Sequence, residues 1–219
     1  MDLPSLSEEV QRRFELKSGA RERALVAARR AIRSSANAIR AIHRQDLEEA
    51  HRLMEEARES LRDGRAAVRE RHPEVYFAGF LQDAQKEYAE ARLTEAVVMD
   101  TELPGPDELE VEVPAFLNGM AEAIGEGRRA VLDLLREGEF ERGERILRAM
   151  DDLYSVLVTV DFPDAITGNL RRSTDVARSI LEKTRGDLSV SLVQRNLRLA
   201  LERHAERFVD PGSGPTGSA

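Results

Sequence analysis

Two pairs of glutamates at helical spacing are the residues of this sequence best suited to chemistry. Glu87 and Glu90 are three residues apart, and Glu122 and Glu126 are four apart. Both spacings place the two carboxylates on one face of a helix. Partly buried like charges repel each other and need a counter-charge, which either a divalent cation or an arginine supplies. Each pair stands among small or apolar residues, which are Phe80, Ala84 and Ala91 for the first and Gly119 and Gly125 for the second. A glycine inside a helix costs about 1 kcal/mol relative to alanine, so these two glycines indicate close approach of another helix or a ligand.

If the two helices pack side by side, the four carboxylates converge on one site. Ligand sets made only of oxygen suit Mg²⁺ or Mn²⁺ rather than zinc, and the chain has no cysteine to supply thiolates. Such a cluster activates water and stabilises the transition state of phosphoryl chemistry. The alternative is that these pairs are solvated surface, because the chain contains 41 acidic residues.

A stripe of arginines on the first long helical pattern is the second candidate site. Its members share one helix face with Asn37, and they are Arg29, Arg33, Arg40 and Arg44. A stripe of this kind suits the phosphate backbone of a nucleic acid. The net charge of −8 argues against nucleic acid in general, but net charge reports poorly on a local patch. The alternative is a solvated face that pairs with Glu48 and Glu49 on the next helix.

The elements that must position these residues are helices. Charged residues make up 34% of the chain and aromatic residues 5%, and proline and glycine concentrate at a few breaks. This pattern predicts an all-α, single seven-helix bundle domain over residues 7–209, with a frayed N-terminus at 1–6 and a disordered C-terminal tail at 210–219. The predicted helices span about 7–44, 47–70, 75–99, 114–136, 139–160, a segment capped by Gly186, and 188–209.

Other classes of site are absent from the sequence. The four histidines show no metal-ligand pairing, and no role is assigned to His43, His51, His72 or His204. The sequence contains no nucleophile elbow, P-loop or dinucleotide fingerprint. It also has no apolar run long enough to span a bilayer and no signal peptide. We therefore expect a cytoplasmic protein with no membrane partner.

Several segments, in this order and spacing, resemble the translin family over about residues 15–188. The first helix of that family is matched at 20–26 and 36–44. Its central helix is matched by His72-Pro-Glu-Val-Tyr-Phe-Ala-Gly-Phe80, which leads into Glu87-Tyr-Ala-Glu90-Ala. The following helix is matched at 113–126, and the closing one at 161–163 and 170–186.

The resemblance implies a function for both candidate sites. Translin itself binds nucleic acid, whereas translin-associated factor X supplies a nuclease site. The active branch carries Glu-x-x-Glu, then an acid in a Gly-x-x-acid context, then a Glu four residues on, which this chain matches at Glu87, Glu90, Glu122 and Glu126. The third position is usually Asp, so the extra methylene of Glu122 shifts a metal ligand. Family members form hollow shells, commonly octamers, with the acids inside.

Three hypotheses follow. The first is a Mg²⁺- or Mn²⁺-dependent endoribonuclease that cuts single-stranded RNA inside a homo-oligomeric shell. The second is a translin-like shell that binds RNA or single-stranded DNA without cutting it. The third is a helical scaffold with neither activity, in which the acid pairs are solvated. Convergence of the four glutamates on one cavity distinguishes the first two hypotheses from the third.

Overall fold

The computed structural model describes residues 2–209, and in this part of the chain it contains nine helices and no strand. The all-α prediction is confirmed. The predicted tail at 210–219 lies outside the described residues. The helices are α1 (Leu3–His43), α2 (Leu47–Val68), α3 (Pro73–Tyr76), α4 (Phe80–Met99), α5 (Pro106–Leu109), α6 (Val113–Glu137), α7 (Phe140–Leu157), α8 (Asp164–Thr167) and α9 (Leu170–Val209).

The predicted count of seven helices is wrong in two ways. Three of the predicted breaks contain a helix of only four residues, namely α3, α5 and α8. In addition, Gly186 does not end a helix, because it keeps a helical backbone without a positive φ and α9 continues through it. Glycine inside a helix costs about 1 kcal/mol relative to alanine. Burial of Leu181 before Gly186 and Leu188 after it holds α9 against the bundle and offsets that cost.

The N-terminal end of α1 also differs from the predicted boundary. The helix begins at Leu3, inside the segment 1–6 that was expected to fray. The Asp2 side chain accepts a hydrogen bond from the Ser5 backbone N–H at 3.0 Å, which is a typical N-cap. Asp46, predicted as the N-cap of the second helix, accepts from the Glu49 N–H at 3.3 Å in the same way.

Helix α4 is the centre of the bundle. It packs against α1 and α2 on one side and against α6 on the other, while α6 also contacts α7 and α9. The close packing of α1 depends on alanines at its contact face, including Ala24, Ala31 and Ala38. Because α4 is covered on several sides, its polar residues have little access to solvent. Among them, Gln85 is 2% exposed and Glu90 is 9% exposed.

The two longest helices extend apolar side chains away from the core. In α1 no described residue before Ala20 is buried, and the second half of α9 is mostly exposed. Contiguous exposed apolar residues of this kind mark association surfaces. No helix within residues 2–209 combines the length and the apolar character needed to cross a membrane. The exposed apolar residues are Leu3, Leu6, Val10 and Phe14 in α1 and Val190, Val193, Leu197 and Leu201 in α9.

Candidate active site

Three of the four predicted acids come together where α4 packs on α6. One carboxylate oxygen from each of Glu87, Glu90 and Glu122 lies within 4.8 Å of the others. The three differ in depth, because Glu90 is 9% exposed whereas the Glu122 side chain is 40% exposed. The site is therefore a shallow pit with one acid at its base and two nearer its mouth.

A direct backbone contact brings these acids together. A Cβ added to Gly119 would lie 2.6 Å from the Lys86 carbonyl oxygen and 3.0 Å from the Glu90 backbone nitrogen. Only glycine fits such an approach, and Gly119 is one turn before Glu122, so the contact sets the separation of the acids. The sequence also indicated a close approach at Gly125, but there the nearest atom is Ile180 Cδ1 at an ordinary 3.8 Å.

The Glu90 carboxylate has no counter-charge in direct contact. Among the side chains that the structure describes, none donates a hydrogen bond or forms an ion pair with it. Burial is the main cause that raises the pKa of Glu90 to about 8, and the charges of Glu122, Glu87 and Glu126 add to the effect. In the absence of a cation, this carboxyl holds a proton at neutral pH.

Lys86 partly neutralises the two outer acids. Its Nζ lies 2.7 Å from Glu122 Oε1 and 3.3 Å from Glu87 Oε1. Burial works against the charged amine, but the hydrogen bond to Glu122 and the charges of both acids outweigh it and raise the pKa of Lys86. Sequence reasoning did not assign Lys86 to the site, because its contact with Glu122 joins residues 36 positions apart.

The fourth acid, Glu126, is held apart from the cluster by a histidine of α1. His43 Nε2 lies 2.5 Å from Glu126 Oε2, and the His43 side chain is only 5% exposed. This hydrogen bond is the first cause that lowers the pKa of Glu126. Glu126 is nevertheless near enough for its charge to raise the pKa of Glu90. No role was predicted for His43, and the structure places it at the edge of the site.

The acid cluster opens into a cavity of about 340 Å³ beneath the start of α9. Glu90, Ala121 and Glu122 line one wall. A hydrogen-bonded amide positions the opposite wall, because the Asn118 Nδ2 donates to the Pro114 and Thr167 carbonyls and its Oδ1 accepts from Ser173 Oγ. The residues of α9 that line the cavity are Arg172, Ser173, Val176 and Ile180.

The arginine stripe is exposed on α1 and leads towards the acid site. Within residues 2–209, Arg29, Arg33, Arg40 and Arg44 form no ion pair. Arg40 donates a hydrogen bond to Asn37 Oδ1 at 2.7 Å. His43 lies between Arg40 and Arg44 in the sequence, but its side chain is buried and contacts Glu126.

The structure does not show the alternative in which the arginine stripe forms ion pairs with glutamates of α2. Glu49 accepts two hydrogen bonds from Arg52 at 2.7 Å, and this contact is the first cause that lowers the pKa of Glu49. Arg44 contributes to that shift only as a nearby charge. The ion pair between α1 and α2 instead uses Arg30, which lies off the stripe and contacts Glu56 at 2.9 Å.

The donor set fits a hard divalent cation. The three convergent carboxylates supply only oxygen, which is the chemistry that Mg²⁺ and Mn²⁺ prefer. The Glu90 carboxylate is buried without a partner among the described side chains, and a bound cation would remove the reason for its protonation. Lys86 supplies one positive charge to the two outer acids and leaves the base of the pit uncompensated.

Known proteins are similar to this chain in sequence or in the arrangement of their helices. An uncharacterized protein of Methanocaldococcus jannaschii is 33% identical over 189 residues, which cover 85% of this chain and 83% of that protein. The structure of Archaeoglobus C3PO in complex with duplex RNA has a TM-score of 0.80 and 38% identity and covers 86% of this chain and 97% of that chain. No family model matches the chain.

Two further structures agree with this assignment. The crystal structure of Archaeoglobus C3PO matches with a TM-score of 0.79 and 36% identity, over 86% of this chain and 97% of that chain. Apo C3PO from Neurospora matches with a TM-score of 0.76 over 87% of this chain and 99% of that chain, and at 20% identity it shows the fold alone. The fold is that of the C3PO subunits. The chain belongs to the translin family.

We predict that Gly119→Ala destabilises the protein. The added methyl would meet backbone atoms of α4, which cannot move aside as a flexible side chain does, so the expected decrease is about 1–3 kcal/mol of unfolding free energy. Urea denaturation measures it. The matched control is Gly125→Ala on the same helix, where the added methyl would make only an ordinary contact with Ile180 and alanine favours the helix. Equal stability of the two variants would contradict a tight contact at Gly119.

We predict that Glu90→Gln stabilises the metal-free protein at high pH. The pKa of Glu90 rises from 4.5 to about 8 in the folded state, so its ionisation costs stability as the pH rises from 4.5 to 8. In EDTA at pH 9 the variant should exceed the parent by about 2–5 kcal/mol, and the difference should shrink towards pH 4. Glu59→Gln, an exposed acid of α2, is the control. A difference independent of pH would contradict the assignment.

Proposed function

We propose that this protein is a Mg²⁺- or Mn²⁺-dependent endoribonuclease that acts inside a homo-oligomeric shell. The observation that carries the proposal is the buried, unpartnered Glu90 carboxylate within 4.8 Å of Glu87 and Glu122 in the described part of the chain. Such a cluster is costly to the folded protein unless a cation occupies it. The related Archaeoglobus C3PO in complex with duplex RNA supports RNA as the ligand.

The residues divide into three roles. Glu87, Glu90 and Glu122 hold the cation, and Glu126 borders the site, where His43 fixes its orientation. When bound, the cation lowers the pKa of a water molecule and offsets the charge that builds up on the phosphate. The exposed arginines of α1 bind the RNA backbone through bidentate contacts that do not depend on sequence.

Assembly follows from the exposed apolar ends of α1 and α9. Their side chains are solvated in the single chain, although they lie on the two longest helices of the bundle. Identical chains usually bury such surfaces in closed symmetric oligomers. The proposed assembly is a homo-oligomer of the octameric kind, which encloses the acid sites.

A second candidate function is nucleic-acid binding without cleavage. The observation that favours it is Lys86, whose ammonium already contacts the two outer acids without a metal. The extra methylene of Glu122, in place of the Asp usual in the active branch, is consistent with a weakened metal site. Under this alternative the shell binds RNA or single-stranded DNA through its arginines alone.

The deciding experiment is a cleavage assay on single-stranded and duplex RNA with Mg²⁺, Mn²⁺ or EDTA. The parent should cut only with a metal. Gln at position 87, 90 or 122 should slow cleavage by about 100-fold or more, because each variant keeps its shape but lacks a charged ligand. Glu126→Gln should have a smaller effect, since Glu126 lies outside the convergent group. Glu59→Gln should cut like the parent.

Two outcomes would contradict the proposal. If a variant with Gln at positions 87, 90, 122 and 126 cuts RNA as fast as the parent, the acid cluster is not the active site. If the parent binds RNA but leaves it intact with either metal, the non-catalytic alternative holds.

We predict that the arginine stripe sets the salt dependence of RNA binding. The double change Arg33→Ala and Arg40→Ala should weaken affinity and make the slope of log K against log salt shallower by about 0.7 for each phosphate of a single strand that the protein no longer neutralises. The control is Arg52→Ala with Arg58→Ala, which removes two arginines of α2 that already pair with glutamates. An unchanged slope in the stripe variant would mean that these arginines do not contact phosphate.

A further inference from the structure

The cavity beside the acid cluster has charges of opposite sign on its two walls. Glu90 and Glu122 line the wall formed by α4 and α6, and Arg172 lines the wall formed by α9. Arg172 is in the first turn of α9, where the backbone amides add partial positive charge. The cavity volume of about 340 Å³ is enough for a small polar group rather than for a whole nucleotide chain.

The Arg172 side chain is free of protein partners. Within the part of the chain that the structure describes, its guanidinium forms no hydrogen bond and no ion pair. Its neighbours on α9 are engaged, since Arg171 lies 3.8 Å from Asp161 and Arg178 donates to the Tyr154 hydroxyl at 2.7 Å. Arg172 is an exposed residue that lines the cavity together with Glu90 and Glu122, so its guanidinium is available to a ligand there.

The opposite wall presents an unpaired acid. Glu90 as a residue is only 9% exposed, its carboxylate lines the same cavity, and that carboxylate has no partner among the described side chains. Glu90 and Arg172 thus border one space without touching each other. A ligand that bridges them must offer a cation to the carboxylate and an anion to the guanidinium. A phosphodiester that carries a divalent cation satisfies both, and a planar guanidinium binds phosphate oxygens in a bidentate manner.

A hydrogen-bonded network positions the backbone of the helical turn that carries Arg172. Ser173, the next residue, donates from its hydroxyl to Asn118 Oδ1 at 2.7 Å, and Asn118 is itself bound to the Thr167 carbonyl at 3.0 Å. This network ties the first turn of α9 to α6, only one turn from Glu122. The start of α9 is therefore held at a set distance from the acids, which is what a phosphate clamp requires.

We propose that Arg172 binds the scissile phosphate of the RNA from the side opposite the acid cluster, and that the cavity between them is the phosphate pocket. This inference rests on the proposed nuclease function. It assigns a substrate-contacting residue outside the four glutamates and separates two kinds of arginine in this protein. The stripe on α1 binds backbone along the RNA, whereas Arg172 binds the one phosphate that reacts.

The test compares Arg172→Ala and Arg172→Lys with Arg171→Ala, the ion-paired neighbour on the same turn. Single-turnover cleavage with saturating protein should fall about 10- to 100-fold for Arg172→Ala, recover in part for Arg172→Lys and stay within twofold for Arg171→Ala. Mn²⁺ affinity, followed by electron paramagnetic resonance, should not weaken in Arg172→Ala. This readout separates removal of the phosphate ligand from damage to the acid cluster.

A binding measurement keeps the inference independent of activity. With Ca²⁺ in place of Mg²⁺, the parent should bind an RNA trinucleotide more tightly than its uncharged methylphosphonate analogue, and Arg172→Ala should reduce that preference by about tenfold. If the parent never cuts RNA but the preference shrinks in this way, the nuclease function fails and the phosphate pocket stands. If Arg172→Ala cuts like the parent, or keeps the full preference for the charged trinucleotide, the assignment of Arg172 is overturned.

Discussion

The site depends on one contact between two helix backbones. At Gly119 the surface of α6 reaches the Lys86 carbonyl of α4 with no side chain between them. Any larger residue there would push the helices apart and separate Glu122 from Glu87 and Glu90. A second glycine, Gly127, lies about two turns further along α6 and allows a close approach of the Met150 side chain of α7, because an added Cβ would lie 2.9 Å from Met150 Cγ. Close contacts at these two glycines thus fix the position of α6, and the position of α6 in turn sets where its acids lie.

The same packing explains why the acid cluster lowers the stability of the metal-free protein. Because α4 is the central helix, Glu90 is buried where α4 faces α6, although it is an acid. Placing a carboxylate there reduces stability unless it is neutralised. Lys86 and His43 neutralise or engage the surrounding acids but do not reach Glu90. The bundle therefore has three acids with a hydrogen-bonded or ion-paired partner around one acid without such a partner, which is an arrangement typical of functional sites.

Local patterns in the sequence were enough to predict the helices and most of the acid cluster. Helical spacing identified both glutamate pairs, and the glycine before Glu122 indicated a close approach that the structure confirms at Gly119. Other features depend on distant residues and have no local signal. His43 and Glu126 are 83 residues apart, and Arg172 joins the cavity only because α9 folds over α6. The break predicted at Gly186 was wrong because burial of its neighbours outweighs a local preference.

Helix α9 is continuous and connects the acid site to an exposed apolar end. At 1.5 Å per residue, its 40 residues extend about 60 Å from the first turn beside the acids to the exposed apolar end. In the proposed homo-oligomer, packing of that apolar end against another subunit would place a subunit contact and a wall of the acid cavity on the same helix. Burial of Leu181 and Leu188 on either side of Gly186 holds this helix against the bundle between its two ends. A single helix would then join the interface between subunits to the site of the chemistry.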